Sequence, residues 1–345
     1  MRKLSLPAVL VVAGALFLAT AASALAAFTP HIAGSTAGPK TTIHITAAKA
    51  DDSIAHISII APGVATLGQA PGTTIGAVTA SVNAKAISPD AVIPLTGNTI
   101  VADGSSAALQ AAGTQCTGVA QHAAVWNLSL TAAGQTLNVP VYVDPTTGSK
   151  FAPLGATILQ TCLASPDVGA ACAATLCAKL LDVDFTVAGV FAAPTQQVPT
   201  WLGIFTPFAA GTANPNVAGT VSALGLDAKP VITLTAKAGK GGKVVIAGKA
   251  AVLGQPAAAL PIAILDGAKK VGSTTVTTAG TFVKTLTLKK GKHTLIVGTA
   301  VPTDQDITSQ GACALIPAGA GLPPCVTASL AAFVATSNTV KVTVK

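Results

Sequence analysis

Glutamate is absent from this 345-residue sequence, so all 12 of its acidic residues are aspartates. Arginine and methionine occur only at the N-terminus, as Arg2 and Met1. Glutamate and arginine are strong helix formers that supply many ion pairs on helix surfaces, so their scarcity disfavours a helical protein. Aromatic residues make up only 3% of the chain, which predicts a core of small aliphatic side chains.

Motifs of several enzyme classes are missing as well. Without glutamate the chain cannot contain the HExxH signature of zinc proteases. It also has no Gly-x-Ser-x-Gly nucleophile elbow and no Gly-Lys-Ser/Thr phosphate loop. These absences predict a protein that is not an enzyme and that uses no cofactor.

A carboxylate pair for hydrolysis would have to come from aspartates. The closest pairs in the sequence are Asp51 with Asp52, Asp182 with Asp184, and Asp304 with Asp306. Asp182 and Asp184 are two residues apart on a predicted strand, so they share one face. Val183 and Phe185 point to the opposite face, and we interpret the aspartate face as the solvent face of the strand.

The histidines form no local metal pair. They are His31, His44, His56, His122 and His293, and no two are spaced i, i+2 or i, i+4. His44 and His56 are candidates to face each other on neighbouring strands, but histidines on half-exposed sheets are common. Asp304 and Asp306 offer oxygens to a calcium ion, although the further ligands that calcium needs are not evident nearby. No metal site is therefore predicted.

The N-terminus predicts export. Arg2 and Lys3 precede the uncharged apolar stretch Leu4–Leu18, and the small residues Ala24 and Ala26 follow at the usual cleavage spacing. This is the pattern of a signal peptide over residues 1–26, with cleavage after Ala26 or the next alanine. The apolar stretch is too short for a convincing membrane span. We expect a secreted protein that is extracellular or associated with the cell wall.

Abundant threonine and valine, interrupted by glycine and proline, favour short strands joined by turns. We expect an all-β fold of two β-sandwich domains, which span residues 27–224 and 229–345. Composition and charge both change in Gly225–Pro230, where we place the boundary. His122–Leu130 and Gln135–Val143 flank a glycine-containing turn and predict a hairpin.

Two local predictions concern single elements. A short helix is expected over Ala170–Leu181, because Leu176, Leu180 and Leu181 recur at helical spacing. Val326–Thr336 is expected to form one long strand.

Charge is distributed unevenly along the chain. Residues 28–228 contain 5 Lys and 9 Asp, a net charge of −4, whereas residues 229–345 contain 13 Lys and 3 Asp, a net charge of +10. Such asymmetry indicates either an anionic partner or lysines that keep a strand-rich domain soluble. Nucleic acid is disfavoured, because the lysines are not interleaved with aromatic residues and arginine is lacking. The candidate contacts with an anionic polymer are Lys240, Lys243, Lys269, Lys270, Lys289, Lys290 and Lys292.

The C-terminal half contains the segments Pro261–Gly267, Val271–Ser273 and Gly291–Leu295, together with Gly280. These residues resemble the bacterial Ig-like repeats of extracellular proteins. The N-terminal half is similar to a set of secreted actinobacterial proteins. The matching residues there are Val125–Trp126, Val139–Asp144, Cys162, Pro166–Val168, Ala178–Leu181, Gly203–Pro207 and Asn214–Pro215. Together these resemblances imply a secreted protein with an Ig-like module, and they imply no activity.

Six cysteines in a secreted chain predict three disulfides. Cys313 and Cys325 are the two in the C-terminal half and are expected to pair. The other four are Cys116, Cys162, Cys172 and Cys177, for which three connectivities are open. The resemblance covers Cys116 and Cys162, which implies that these two pair with each other. Cys172 and Cys177 would then form an added local link.

Two functions are consistent with these observations. The leading hypothesis is a non-catalytic structural or adhesive protein in which the Ig-like module is a spacer or a contact with another surface protein. The alternative is an accessory protein that binds anionic envelope polymer or polysaccharide through the lysine-rich C-terminal domain. Neither requires nucleic acid or a membrane span in the mature chain.

Overall fold

The computed structural model describes residues 28–132, 134–169, 177–195, 199–252, 254–301, 304–306, 313, 316 and 321–345. The predicted signal peptide lies outside these residues. The described chain is all-β, as predicted, and forms three sheets together with one α-helix. None of its helices is long and apolar enough to cross a membrane.

Thirteen strands form the largest sheet. In chain order they are β1 (His31–Ala37), β2 (Lys40–Thr46), β3 (Ile54–Ala61), β4 (Thr74–Ala84), β5 (Val92–Val101), β6 (Ala124–Ala132), β7 (Gln135–Pro145), β8 (Thr157–Cys162), β9 (Ala178–Ala188), β10 (Thr200–Pro207), β11 (Val221–Leu226), β19 (Gln305–Asp306) and β20 (Cys325–Leu330). Across the sheet the order is β1-β2-β9-β4-β5-β6-β7-β8-β3-β10-β11-β20-β19. The predicted hairpin is confirmed as β6 and β7. β11 and β20 run parallel to each other.

This large sheet curls until its first strand approaches the far end. A Cβ added to Gly225 on β11 would lie 2.8 Å from the carbonyl oxygen of Ile32 on β1, so only glycine allows this close approach. Thr327 on β20 donates a hydrogen bond from Oγ1 to the Pro30 carbonyl at 2.5 Å. The sheet is thus nearly closed around its own core.

The few large aromatic residues are concentrated in that core. Trp126 and Trp201 are 0% and 1% exposed, and both contact Phe191 edge-on, with ring centroids 6.2 and 6.0 Å apart. Edge-to-face packing of this kind adds to the stabilisation from burial alone. Neither tryptophan is therefore available as a sugar-stacking surface.

Two smaller sheets form a sandwich from the C-terminal part. One contains β12 (Val231–Ala238), β13 (Lys243–Val252), β14 (Gln255–Pro256) and β17 (Thr281–Thr287), and the other contains β15 (Pro261–Asp266), β16 (Lys269–Thr275), β18 (Gly291–Val301), β21 (Phe333–Thr336) and β22 (Val340–Val344). Alternate residues of each strand point inward, as the period of two requires. Ile232, Val244 and Phe282 from the first sheet and Ile264 and Leu295 from the second belong to one buried cluster.

The C-terminal chain also returns to the large sheet. After β18 it supplies β20, in which Leu330 pairs with Leu226 of β11. The buried cluster of the sandwich correspondingly includes Ile60 and Leu202 from β3 and β10. Strand pairing and apolar packing thus cross the predicted boundary near residues 225–230, and the division into two domains stays a prediction.

Two predictions about single elements are wrong where the structure describes them. Residues 170–176 of the predicted helix lie outside the described residues, but Ala178–Leu181 form the start of β9. Pairing with β4 determines the conformation there, and Lys179 donates a hydrogen bond from its buried ammonium to the Lys49 carbonyl at 2.9 Å. The predicted strand Val326–Thr336 is interrupted at residues 331–332, because the chain passes there from the large sheet to the sandwich.

The α-helix, α1 (Ala107–Thr117), is absent from the sequence-based predictions. Ser106 caps its N-terminus, where the side chain accepts a hydrogen bond from Leu109 N at 3.3 Å. Gly118 ends it in the left-handed conformation, with φ of 80°. A serine cap and a terminal glycine twelve residues apart are the usual helix signals, and they were present in the sequence.

Two of the three predicted disulfides are confirmed. Cys116 on α1 is bonded to Cys162 on β8, and Cys313 is bonded to Cys325 at the start of β20. Cys177 is disulfide-bonded, but its predicted partner Cys172 lies outside the described residues. That pairing therefore stays a prediction.

Candidate functional site

Three turns of the sandwich lie at one end. They follow β12, β15 and β17. Leu288 N in the third turn donates to the Gly242 carbonyl in the first at 2.9 Å. His293, just after the third turn, hydrogen-bonds to Asp266 Oδ2 in the second at 2.6 Å and to the Lys289 carbonyl at 2.8 Å. These contacts fix the three turns beside one another.

We call this region the basic end, because all of the lysines proposed from the sequence lie on or next to these turns. They are Lys240, Lys243, Lys269, Lys270, Lys289, Lys290 and Lys292, and each is exposed. In the part of the chain that the structure describes, none of them forms an ion pair. By contrast, Lys49 and Lys85, which follow β2 and β4 of the large sheet, are paired with Asp90 and Asp167. The basic end thus presents uncompensated positive charge.

The acid at the basic end is already engaged. The hydrogen bond between Asp266 and His293 lowers the pKa of the Asp266 carboxyl and raises the pKa of the His293 imidazole.

Sequence reasoning missed one neighbouring cation, Lys345. It follows Val344, which pairs with Gly291 at the start of β18. Strand register was needed to place it there, and no local motif indicates it.

A second feature brings distant aspartates together around His44. On the paired strands β2 and β9, His44 is opposite Asp184, and Thr46 is opposite Asp182. His44 Nε2 lies 2.8 Å from Asp182 Oδ2, and His44 Nδ1 lies 2.5 Å from Asp304 Oδ2. We call His44, Asp182, Asp184 and Asp304 the His44 cluster.

The electrostatics of the His44 cluster follow from this geometry. The hydrogen bond that His44 donates to Asp304 is the main cause that raises the pKa of His44 to about 9. Burial lowers this pKa, and the hydrogen bond to Asp182 raises it. Burial raises the pKa of Asp184, and the neighbouring Asp182 and Asp304 raise it further, while His44 lowers it. The imidazole is thus protonated at neutral pH and donates to two carboxylates.

Beside this cluster, His31 Nδ1 lies 2.9 Å from Asp306 Oδ1, within ion-pair distance but without hydrogen-bond geometry. Ser329 Oγ donates to the same carboxylate oxygen at 3.2 Å. Asp304 and Asp306, considered in the sequence as one calcium candidate, are therefore each engaged with a different histidine.

The other sequence candidates lie elsewhere. His56 is on β3, which is not a neighbour of β2, so it does not face His44. Its ring lies beside the sulfurs of Cys116 and Cys162, but these form a disulfide and are not thiolate ligands. Asp51 accepts hydrogen bonds from the backbone of Thr29 and of a nearby turn.

No protein-family model matches the chain, and no curated protein matches it. The fold and these two features define an all-β protein of the β-sandwich class with at least two disulfides. Within the described residues, charged side chains come together in an exposed basic end and in a histidine–aspartate cluster on the large sheet.

Proposed function

We propose that this is a secreted, non-catalytic structural or adhesive protein that attaches to anionic envelope polymer through the basic end. The observation that supports this choice is the convergence of three lysine-bearing turns at one end of the sandwich. A sequence count of lysines does not distinguish scattered surface charge from such a patch. The proposal therefore combines the two functions considered from the sequence.

The chemistry of lysine fits a polymer more than a single small ligand. Each ammonium is a flexible point charge that attracts phosphate or carboxylate without fixing its orientation. One exposed contact of this kind contributes little, since solvent and salt screen it. Several contacts along one chain of repeating negative charges act together, so the affinity of the polymer exceeds that of its monomer.

The Ig-like character of the C-terminal part belongs to this proposal. Two facing antiparallel sheets joined by short turns are the architecture that the sequence resemblance implies. In such modules the loops and turns cluster at the ends of the sandwich, where ligand contacts are commonly built. The basic end is one of those two ends.

A contact with another surface protein is a second candidate for the outer face of the β12–β13–β17 sheet. Val231 and Val283 on that face are 70% and 62% exposed. Val245, which is 43% exposed, lies diagonally across from Val283 on the neighbouring strand, whereas Val231 lies at the other end of β12. Several exposed aliphatic side chains on one face are more typical of a contact surface than single exposed side chains are.

The experiment is a pull-down of envelope components with the mature protein at low salt and at a few hundred millimolar salt. One variant changes Lys269, Lys289 and Lys290 to Gln. The matched control changes three other exposed lysines, Lys40, Lys249 and Lys284, and so removes the same charge. We expect capture at low salt by the wild type and by the control, and its loss in the basic-end variant and at high salt. Equal loss in both variants would show that net charge, and not the basic end, is responsible.

A further inference from the structure

We propose that His44, Asp182 and Asp184 bind one divalent transition-metal ion, with Asp304 holding the imidazole in position. This goes beyond the proposed polymer binding and does not depend on it. The ligand atoms of His44, Asp182 and Asp184 all lie within 4.8 Å of one another. Ligands bonded to one such ion at about 2.0–2.2 Å are at most ~4.4 Å apart, so small side-chain movements complete the site.

The two ring nitrogens of His44 have different surroundings, which assigns their roles. Nε2 faces Asp182 at 2.8 Å and is the nitrogen available to the metal. Nδ1 is hydrogen-bonded to Asp304 at 2.5 Å. A histidine that binds a metal usually donates its other ring N–H to a carboxylate, which fixes the tautomer and the orientation of the ring. Asp304 is therefore a positioning residue, and not a ligand.

The charges of the site complement a dication. Asp182 and Asp184 bring two carboxylates to the imidazole of His44, and no lysine pairs with either carboxylate in the described part of the chain. Asp184 accepts no hydrogen bond from any described residue, although its side chain lines the pocket beside His44. A metal ion would replace the Nε2 proton and also supply the partner that Asp184 lacks.

Access to the site is open. A surface pocket of about 320 Å³ is lined by His44, Asp184, Asp304 and Thr42. It has room for water molecules to complete the coordination of the ion. One imidazole nitrogen with two carboxylates is a ligand set that suits Zn²⁺ or Mn²⁺, whereas Ca²⁺ prefers oxygen ligands alone.

The competing account is a purely structural cluster in which protonated His44 links Asp182 to Asp304 without any metal. A substitution of Asp184 distinguishes the metal site from the structural cluster, because Asp184 makes no hydrogen bond to His44. Asp184→Asn removes a metal ligand and leaves both hydrogen bonds of His44 in place. His293→Gln is the matched control, since His293 has the same contact with one aspartate but lacks the additional carboxylates.

The test is calorimetric titration of the untagged, chelator-treated mature protein with Zn²⁺, Mn²⁺ and Ca²⁺, accompanied by thermal unfolding. We expect one Zn²⁺ or Mn²⁺ per chain and a higher Tm on binding. Stoichiometric binding is lost in His44→Gln and Asp184→Asn and retained in His293→Gln. Asp304→Asn is expected to weaken binding about 10–100-fold, as loss of an orienting carboxylate does.

Three results would overturn the proposal. The first is wild-type Zn²⁺ and Mn²⁺ binding no stronger than that of His44→Gln. The second is unchanged binding in Asp184→Asn, which leaves only the structural cluster. The third is Ca²⁺ binding that persists in His44→Gln, which would indicate a site made of carboxylates alone. Circular dichroism of each variant excludes loss of binding through misfolding.

Discussion

At the scale of single residues, Gly34 on β1 shows how closely the curled sheet is packed. A Cβ at this position would lie 2.3 Å from the ring of Trp201. We expect Gly34→Ala to lower the free energy of unfolding by about 1–3 kcal/mol, the usual effect of overpacking a core. Gly68→Ala is the control, because no atom lies within 4 Å of its added Cβ. Urea unfolding measures both, and equal stabilities of the two variants would contradict the described contact of β1 with Trp201.

His44 gives a pH dependence of stability in the metal-free protein. Its pKa is about 9 in the folded chain and 6.5 in the absence of structure. A raised folded pKa means that the stabilisation is complete below about pH 6.5 and is lost as the pH rises through about 9. With chelator present, the stability difference between wild type and His44→Gln should therefore shrink between pH 7 and pH 10. A difference that stays constant or grows would show that His44 is not protonated in the folded state.

Residues differ in how far the sequence reveals their surroundings. Burial of Val183 and Phe185, with Asp182 and Asp184 on the other face, follows from the strand period of two. The contact between His44 and Asp304 does not follow from the sequence pattern, because 260 residues separate His44 from Asp304 in the chain. Only the return of the chain to the large sheet brings them together.

At the scale of elements, β20 is the link between the two predicted domains. Its parallel pairing with β11 is flanked by hydrogen bonds from Ser222 N to the Pro324 carbonyl at 2.8 Å and from Ser222 Oγ to the Pro323 carbonyl at 2.9 Å. Along this edge β20 depends on residues before position 229 for its hydrogen-bond partners, whereas its other edge pairs with the short strand β19.

A fragment of residues 229–345 tests this dependence. We expect β13 and β18 in the fragment to keep slow amide exchange, because their partner strands β12 and β15 are also part of the fragment. The amides of β20 should exchange much faster than in the full chain, since β11 is missing. Hydrogen exchange with mass spectrometry measures both. Protected β20 amides in the fragment would mean that this strand folds without the large sheet.

Elements were predictable where the signal is local. The hairpin β6–β7 follows from alternation around a glycine turn. The leucine spacing at the start of β9 predicts a helix wrongly, because this spacing alone does not distinguish a helix from a strand that pairs with a neighbour such as β4. The interruption between β20 and β21 depends on which sheet each half joins, which is a tertiary property.

At the scale of the whole molecule, charge is separated along the chain and in space. Residues 28–228 have a net charge of −4 and residues 229–345 one of +10. Three of the 12 aspartates lie beside His44, and a fourth, Asp306, lies beside His31. Seven of the 13 lysines in residues 229–345 lie at the basic end. Composition predicted the all-β class, but only the adjacency of the turns distinguishes a patch from scattered charge.

The central claim is that the basic end binds anionic polymer, and the most direct measurement is the salt dependence of the Kd for defined polymers. The probes are a polyglycerol phosphate, a polyuronate and neutral dextran as a control. For three to four ammonium contacts we expect the Kd to rise about tenfold or more between roughly 50 and 200 mM salt. The Lys269, Lys289 and Lys290 variant should show weaker binding and a shallower slope, and the Lys40, Lys249 and Lys284 control should match the wild type. Binding that is insensitive to salt, or equal slopes in the two triple variants, would contradict the account.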